Sequence, residues 1–279
     1  MQISLKWINE LVTIETIDLE YLIEKLTFGG FEVEETLEVE INNQKTISLD
    51  LSATANRSDT LSIQSISMEI AALLNKPSKI SKYSIKDLNW KKQTSSFYRP
   101  FTNQNNYSTF FAITVENLNN FTIPRWLKQK LIYSGVTPVN NLLDFQNYLL
   151  LETGYPFEFY DLDKIYSQLK TSKFNLIITN QTNEEEFFAS NNLSYTLNSS
   201  ILTVRANQLP LSIAGIISSK DFCYSTKTKS LLIEASIFNS TKIRQQSRML
   251  GLRTDRSARY EKSLKDSSFI ESLYRLVSL

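Results

Sequence analysis

Five arginines fall within one short run, IRQQSRMLGLRTDRSARYEK at 243–262: Arg244, Arg248, Arg253, Arg256 and Arg259. The planar guanidinium fork matches phosphate and carboxylate oxygens, so the chemistry on offer is anion binding. From Lys242 to Lys265 eight Lys or Arg stand against Asp255 and Glu261, a local balance of +6 on a chain whose total is +1. Charge focused in this way on a near-neutral protein suits one docking surface for an anion such as RNA. The same residues also suit a solvated helix start held by local Asp–Arg pairs, and charge alone favours that reading.

Other chemistry is narrowed by composition. The chain has no histidine, which removes Ser-His-Asp and Cys-His nucleophile systems and imidazole metal sites. Cys223 is the single cysteine, so internal disulfides and cysteine-cluster metal sites are excluded. Acid–base work would fall to carboxylates, lysines, tyrosines or the substrate itself. Asp144, Glu152, Asp161 and Asp163 stand near expected turns, but a catalytic pair must converge in a cleft, so these read as structural carboxylates. Asn56-Arg57-Ser58-Asp59 reads as a helix N-cap with an Arg–Asp brace rather than a ligand site. Trp7, Trp90 and Trp126 read as packing residues. No Gly-Lys-Ser/Thr occurs, so no phosphate-cradling loop is present.

The elements that must position these residues follow from pattern. A length of 279 residues predicts one large or two small domains, and 42% hydrophobic residues with 16 Phe and 13 Tyr can fill the core. The longest apolar runs are too short for a membrane span. Asp18 predicts a cap for a helix over 19–27 that stops at Gly29-Gly30, followed by strands near 31–40 and 46–52. Asp59 or Ser58 predicts the cap of a helix over 60–74. A polar stretch that includes 81–107 reads as a linker. A strand is expected at 109–116, a helix from Pro124 to about 134 ending at Gly135, and a helix over 139–151. Strands are expected at 174–179, 185–189, 201–205, 210–217 and 230–236, then helices at 239–249 and from about 255 to the end. Helices and strands come in unequal blocks, which predicts an α+β fold.

Several segments, in order, carry a resemblance. They are MQISLKWINELV at the start, LTFGGFEVE at 26–34, NRSD at 56–59 followed by IQSISMEIAALLNKP, and GVTPVNNLLDFQNYLLLETGYPFEFYDLDKI at 135–165. LPLSIAGI at 209–216, LLIEASIF at 231–238 and GLRTD with RYEK at 251–262 complete the set. Together they resemble the beta subunit of phenylalanine–tRNA ligase over nearly the whole chain. The resemblance implies an N-terminal module at 1–80, a linker at 81–107, an editing-like module at 108–260 and, at 261–279, a helix leading to a C-terminal part that is missing. It also implies that an RNA-binding barrel, usual in bacterial members after the first strand, is replaced by the few residues around 41–46.

In such an enzyme phenylalanine is joined to its tRNA with ATP and magnesium, by a heterotetramer of two alpha and two beta subunits. The resemblance places the activating site on the alpha subunit, so ATP and Mg2+ are expected for the whole enzyme and neither on this portion. No membrane is implied. The editing module of the family hydrolyses tyrosine wrongly joined to the tRNA. Matched residue by residue, the family's pocket arginine is Thr137, its histidine Glu158, its glutamate Lys220, its threonine Thr254 and its small alanine Arg256. Arginine in place of alanine would fill the pocket, and loss of the glutamate would remove an acceptor for the tyrosine hydroxyl. The expectation is a degenerate site with no catalytic residue; Glu158 and Lys220 form an ion pair with reversed signs if they face each other, and are otherwise two independent solvated charges. Arg244, Arg248, Arg253 and Arg259 then mainly buttress the module, with RNA contact the lesser reading.

Lys outnumbers Arg 20 to 10 and there are 23 Asn but six Gly, a bias toward A/T-rich codons. The family match starts at the first Met and residues 2–20 carry four carboxylates, unlike an import peptide. These features point to the stroma of a plastid, or to the cytoplasm of an A/T-rich bacterium. Two other readings are a free-standing hydrolase of mischarged tRNA and a truncated RNA- or protein-binding module.

Overall fold

The structure is a computed structural model that describes residues 1–53, 57, 60–80, 106–118, 121–180, 183–265 and 267–279. The chain forms two compact units. The first joins Met1–Leu88, Thr122–Tyr155 and Ser268–Leu279; the second joins Asn89–Phe121 and Pro156–Ser267. This division differs from the sequence-based one, which ran 108–260 as a single module. The expected linker at 81–107 lies outside the described residues except for Asn106 and Tyr107.

In the first unit β1 (Gln2–Ser4), β2 (Phe31–Ile41) and β3 (Gln44–Ala53) make an antiparallel sheet in the order β1-β3-β2. Asn42 and Asn43 both take positive φ and close the two-residue β2–β3 turn, the backbone that matches strand twist. The helices are α1 (Leu5–Leu11), α2 (Leu19–Phe28), α3 (Ile63–Leu73), α4 (Arg125–Tyr133), α5 (Leu142–Thr153) and α9 (Phe269–Ser278). Asp18 caps α2 as expected, its carboxylate accepting from Tyr21 N. Ser62 caps α3, whereas Ser58 and Asp59, the caps read from the sequence, lie outside the described residues. Arg57 pairs with Glu69 at 2.7 Å, while Asp59, the other half of the expected brace, lies outside the described residues. Trp7, Ile8, Leu26, Leu49, Ile66 and Ile70 are buried at the centre of this unit. Trp7 stacks on Tyr148 with ring centroids 5.2 Å apart, while Trp126 is 42% exposed and meets Tyr148 only edge-on.

The second unit carries the candidate site. β4 (Tyr107–Val115), β12 (Leu231–Phe238) and β5 (Phe157–Asp161) form one antiparallel sheet with β12 in the middle. β6 (Leu176–Thr179), β9 (Thr203–Ala206), β10 (Leu209–Ile213) and β11 (Ile217–Ser218) form another, in the order β11-β10-β9-β6. β7 (Glu185–Phe188) and β8 (Ser194–Leu197) make a hairpin. The helices are α6 (Leu162–Leu169), α7 (Ser240–Met249) and α8 (Asp255–Tyr260). All eight residues of β12 are buried, as a central strand requires, yet two of them are Glu234 and Ser236. The core gathers Phe187, Leu197, Val204, Ile213, Phe238, Ile243 and Tyr260.

The mixture of helices and antiparallel sheets is the expected α+β fold. The helix expected from 255 to the end is instead two: α8 stops at Tyr260, Ser263 takes φ +63, and α9 starts at Phe269. The serine-rich stretch between them favours turns over helix. Among the described residues seven of the nine non-glycine positions with positive φ are asparagines, at 42, 43, 75, 117, 140, 192 and 207. Asparagine tolerates this conformation, so a chain with six glycines uses it at turns.

Candidate functional site

Three strands and one helix of the second unit close around a small polar cavity. Its volume is about 10 Å³, and its lining includes Glu158 and Phe157 from β5, Ser212 from β10, Glu234 from β12, and Arg256 and Tyr260 from α8. That is room for roughly one water, whereas an aromatic ring needs a cavity on the order of 150 Å³. Glu158 and Arg256 form an ion pair here, their side chains 10% and 24% exposed. Burial pushes the Arg256 guanidinium down to about 10. Tyr260 acts in the opposite sense, and the guanidinium stays charged at neutral pH.

Behind the pair lies a hydrogen-bond network that sequence reasoning missed. The Tyr160 hydroxyl donates to Glu234 Oε2 at 2.6 Å and lies 2.8 Å from Ser212 Oγ. Ser236 Oγ donates to the other oxygen of Glu234 at 2.9 Å. The Tyr260 hydroxyl donates to Ser236 O at 2.9 Å. Burial raises the Glu234 carboxyl above the usual carboxylate range, and the Tyr160 and Ser236 donors oppose that shift. Burial, with Glu234 beside them, also drives the Tyr160 and Tyr260 phenols well up, so both stay protonated. The sequence did hold a signal: LLIEASIF is a buried-strand run, and a glutamate inside such a run must find donors.

Thr254 is the N-cap of α8. Its hydroxyl accepts from Ser257 N at 3.2 Å, its own N–H donates to Ser257 Oγ at 2.9 Å, and its Oγ1 donates to Ile216 O at 3.0 Å. Arg256 Nη2 lies 3.5 Å from the same carbonyl. The structure therefore brings Glu158 and Arg256 together, with Thr254 at the foot of the same helix. Lys220 is exposed and absent from the lining; Glu158 pairs with Arg256, and no Glu158–Lys220 bridge forms. The physical reason is register. Glu158 sits on β5, which aims it at α8, while Lys220 follows the end of β11. Besides Glu158, Glu234 also lines the cavity. Thr137 is an exposed residue between α4 and α5 of the first unit.

The arginine cluster divides by function. Arg256 turns inward. Arg244 Nη2 donates to Glu261 O at 2.9 Å and Arg259 Nη1 to Asp255 O at 3.3 Å, so both tie down α8. Burial lowers the Arg259 guanidinium, opposed by Asp255. Arg248 and Arg253 are exposed and form no ion pair among the described residues. Of the structural carboxylates, Asp144 accepts from Val139 N and Asn140 N, and Asp161 caps α6 through Lys164 N. Glu152 holds Arg275 at 2.8 Å. Among the described residues no three Cys, Asp or Glu gather where they could hold a metal ion.

The chain belongs to the B3/4 domain family, which matches residues 106–279. It is 58% identical over 279 residues to the chloroplastic phenylalanine–tRNA ligase beta subunit of Phaeodactylum tricornutum, covering 100% of this chain and 40% of that protein. It is 34% identical over 281 residues to the chloroplastic beta subunit of Pyropia yezoensis, covering 100% of this chain and 38% of that one. To the beta subunit of Prochlorococcus marinus subsp. pastoris it is 31% identical over 237 residues, 82% of this chain and 28% of that protein. The chain thus spans about 40% of the length of the curated relatives matched along its whole length.

Proposed function

We propose that the chain is the N-terminal portion of a phenylalanine–tRNA ligase beta subunit, working in the plastid stroma, and that its editing fold is a scaffold with a closed site. The alpha subunit and the tRNA for phenylalanine are its partners, in a heterotetramer of two alpha and two beta subunits. ATP and Mg2+ serve the whole enzyme and are bound elsewhere. The supporting observation is the Glu158–Arg256 pair across a cavity of about 10 Å³. A tyrosyl group has no room there, and burying it would mean displacing a paired charge.

Occlusion, not a missing acceptor, carries this reading, because Glu234 still stands in the lining. The test is hydrolysis of tyrosyl-tRNA by the assembled enzyme. The expected result is deacylation at the rate of the enzyme-free control. Rapid deacylation would refute the closed-site reading and leave the scaffold reading of the first unit untouched.

A further inference from the structure

The outer edge of β2 is the feature that the function above leaves unused. β2 pairs with β3 along one side, and its other side carries no strand among the described residues. Eleven residues at ~3.4 Å each expose an edge of roughly 35 Å. Natural edges are usually blunted by short length, lysine, proline or a covering element. β2 is about twice the usual strand length and contains neither lysine nor proline; its one interruption is a bulge between Val33 and Glu35.

Charge decides what this edge can accept. Glu32, Glu34, Glu35, Glu38 and Glu40 are all exposed. Only Glu38 has a cationic partner among the described residues, Lys45 at 3.5 Å, and both side chains are about 70% exposed. A second copy of the strand would set glutamate against glutamate, and a nucleic acid would set phosphate against glutamate; both are repelled. A strand of opposite charge gains main-chain hydrogen bonds from the free edge and ion pairs from the side chains. Phe28, 81% exposed and three residues before the strand, adds an apolar contact at one end.

We propose that β2 accepts an extended, lysine- or arginine-rich segment of a partner protein as a fourth strand of the β1-β3-β2 sheet. The test uses the 279-residue chain and an acetylated peptide of about ten residues alternating Lys and Thr, with backbone amide exchange read by NMR. Alternate amides between Glu32 and Glu40 are expected to gain at least about fivefold protection. Affinity is expected to fall about tenfold between roughly 50 and 500 mM salt. The double variant Glu38→Lys, Glu40→Lys, on exposed positions that leave the melting curve unchanged, is expected to weaken binding about tenfold. Equal protection by a Glu-Thr peptide, protection by oligouridylate, or Lys-Thr binding that protects other amides and not β2 would each overturn the proposal.

Discussion

Replacing Arg256 by alanine tests whether the pair that closes the cavity is a coupled unit. Glu158 keeps 10% of its side-chain surface, so the variant strands a carboxylate with little solvent. Breaking a buried pair from one side costs about 3–5 kcal/mol. Arg256 is 24% exposed, which admits some water and brings the expected loss to about 2–3 kcal/mol. Glu158→Gln alone leaves a buried guanidinium without its counter-charge and should cost about 1–2 kcal/mol. The double variant removes both charges, and its loss should be about 1–2 kcal/mol, well below the sum. The coupling energy is then about 2 kcal/mol. Denaturant unfolding followed by circular dichroism, on the wild type, both single variants and the double, measures every corner of the cycle. Losses that add to within about 0.5 kcal/mol would show that the two side chains do not depend on one another, and the occlusion argument would fall with them.

Three other expectations follow from the same contacts. Arg275→Met removes the partner of Glu152 and a donor to the Tyr148 hydroxyl; with side chains 16% and 7% exposed, the pair should cost about 3 kcal/mol, read as a lower melting temperature, and Glu152→Gln should recover part of it. Gly215 sits at φ +67, where an added Cβ would meet Ile243, Tyr260 and Phe238 side chains at 3.0–3.1 Å, so Gly215→Ala should lose about 2–3 kcal/mol in denaturant unfolding. Tyr160 and Tyr260 have phenols raised above their unfolded value of 10.0, so the unfolded chain releases those protons first. Their stabilisation is complete below that pH and declines as pH rises through and above it, by up to about 1.4 kcal/mol per pH unit for each phenol, so urea midpoints should drop between pH ~9 and ~11 and drop less in Tyr160→Phe.

Much of the fold was legible because its signals are local. Asp18 before LEYLIEKL, and the glycines that end α4 and α5, announce helix boundaries by capping chemistry, and the structure has them. Short β5, β8 and helix α6 were not foreseen. β5 reads FEFYD and is buried on both faces, so no alternation marks it, and its strand identity comes from pairing with β12. The site was legible only in part. Arg256 stood out by charge, but its partner is 98 residues away in sequence, and no spacing rule links position 158 to 256. The expected Lys220 partner failed for the same reason, since facing across a sheet depends on register that one sequence does not state.

Thr254, matched to a pocket threonine only by resemblance, has a structural role of its own. Its hydroxyl accepts from Ser257 N and donates to the Ile216 carbonyl, while its backbone N–H donates to Ser257 Oγ to complete a capping box. Loss of such a cap costs about 1–2 kcal/mol with no chemistry involved. Thr254→Val would therefore loosen α8, and with it Arg256, so any change in tyrosyl-tRNA hydrolysis would confound cap and site. Thr254→Ser keeps the hydroxyl and hence the cap, and should leave stability within about 0.5 kcal/mol of wild type. Arg256→Ala in that same background removes the occluding group while α8 stays capped. If closure by Arg256 is what silences the fold, deacylation should appear in Arg256→Ala and be unaffected by Thr254→Ser. A site still silent in Arg256→Ala, with the helix shown intact by amide exchange, would mean that occlusion is not the cause, and that the chemistry is absent from Glu158, Glu234 and their neighbours themselves.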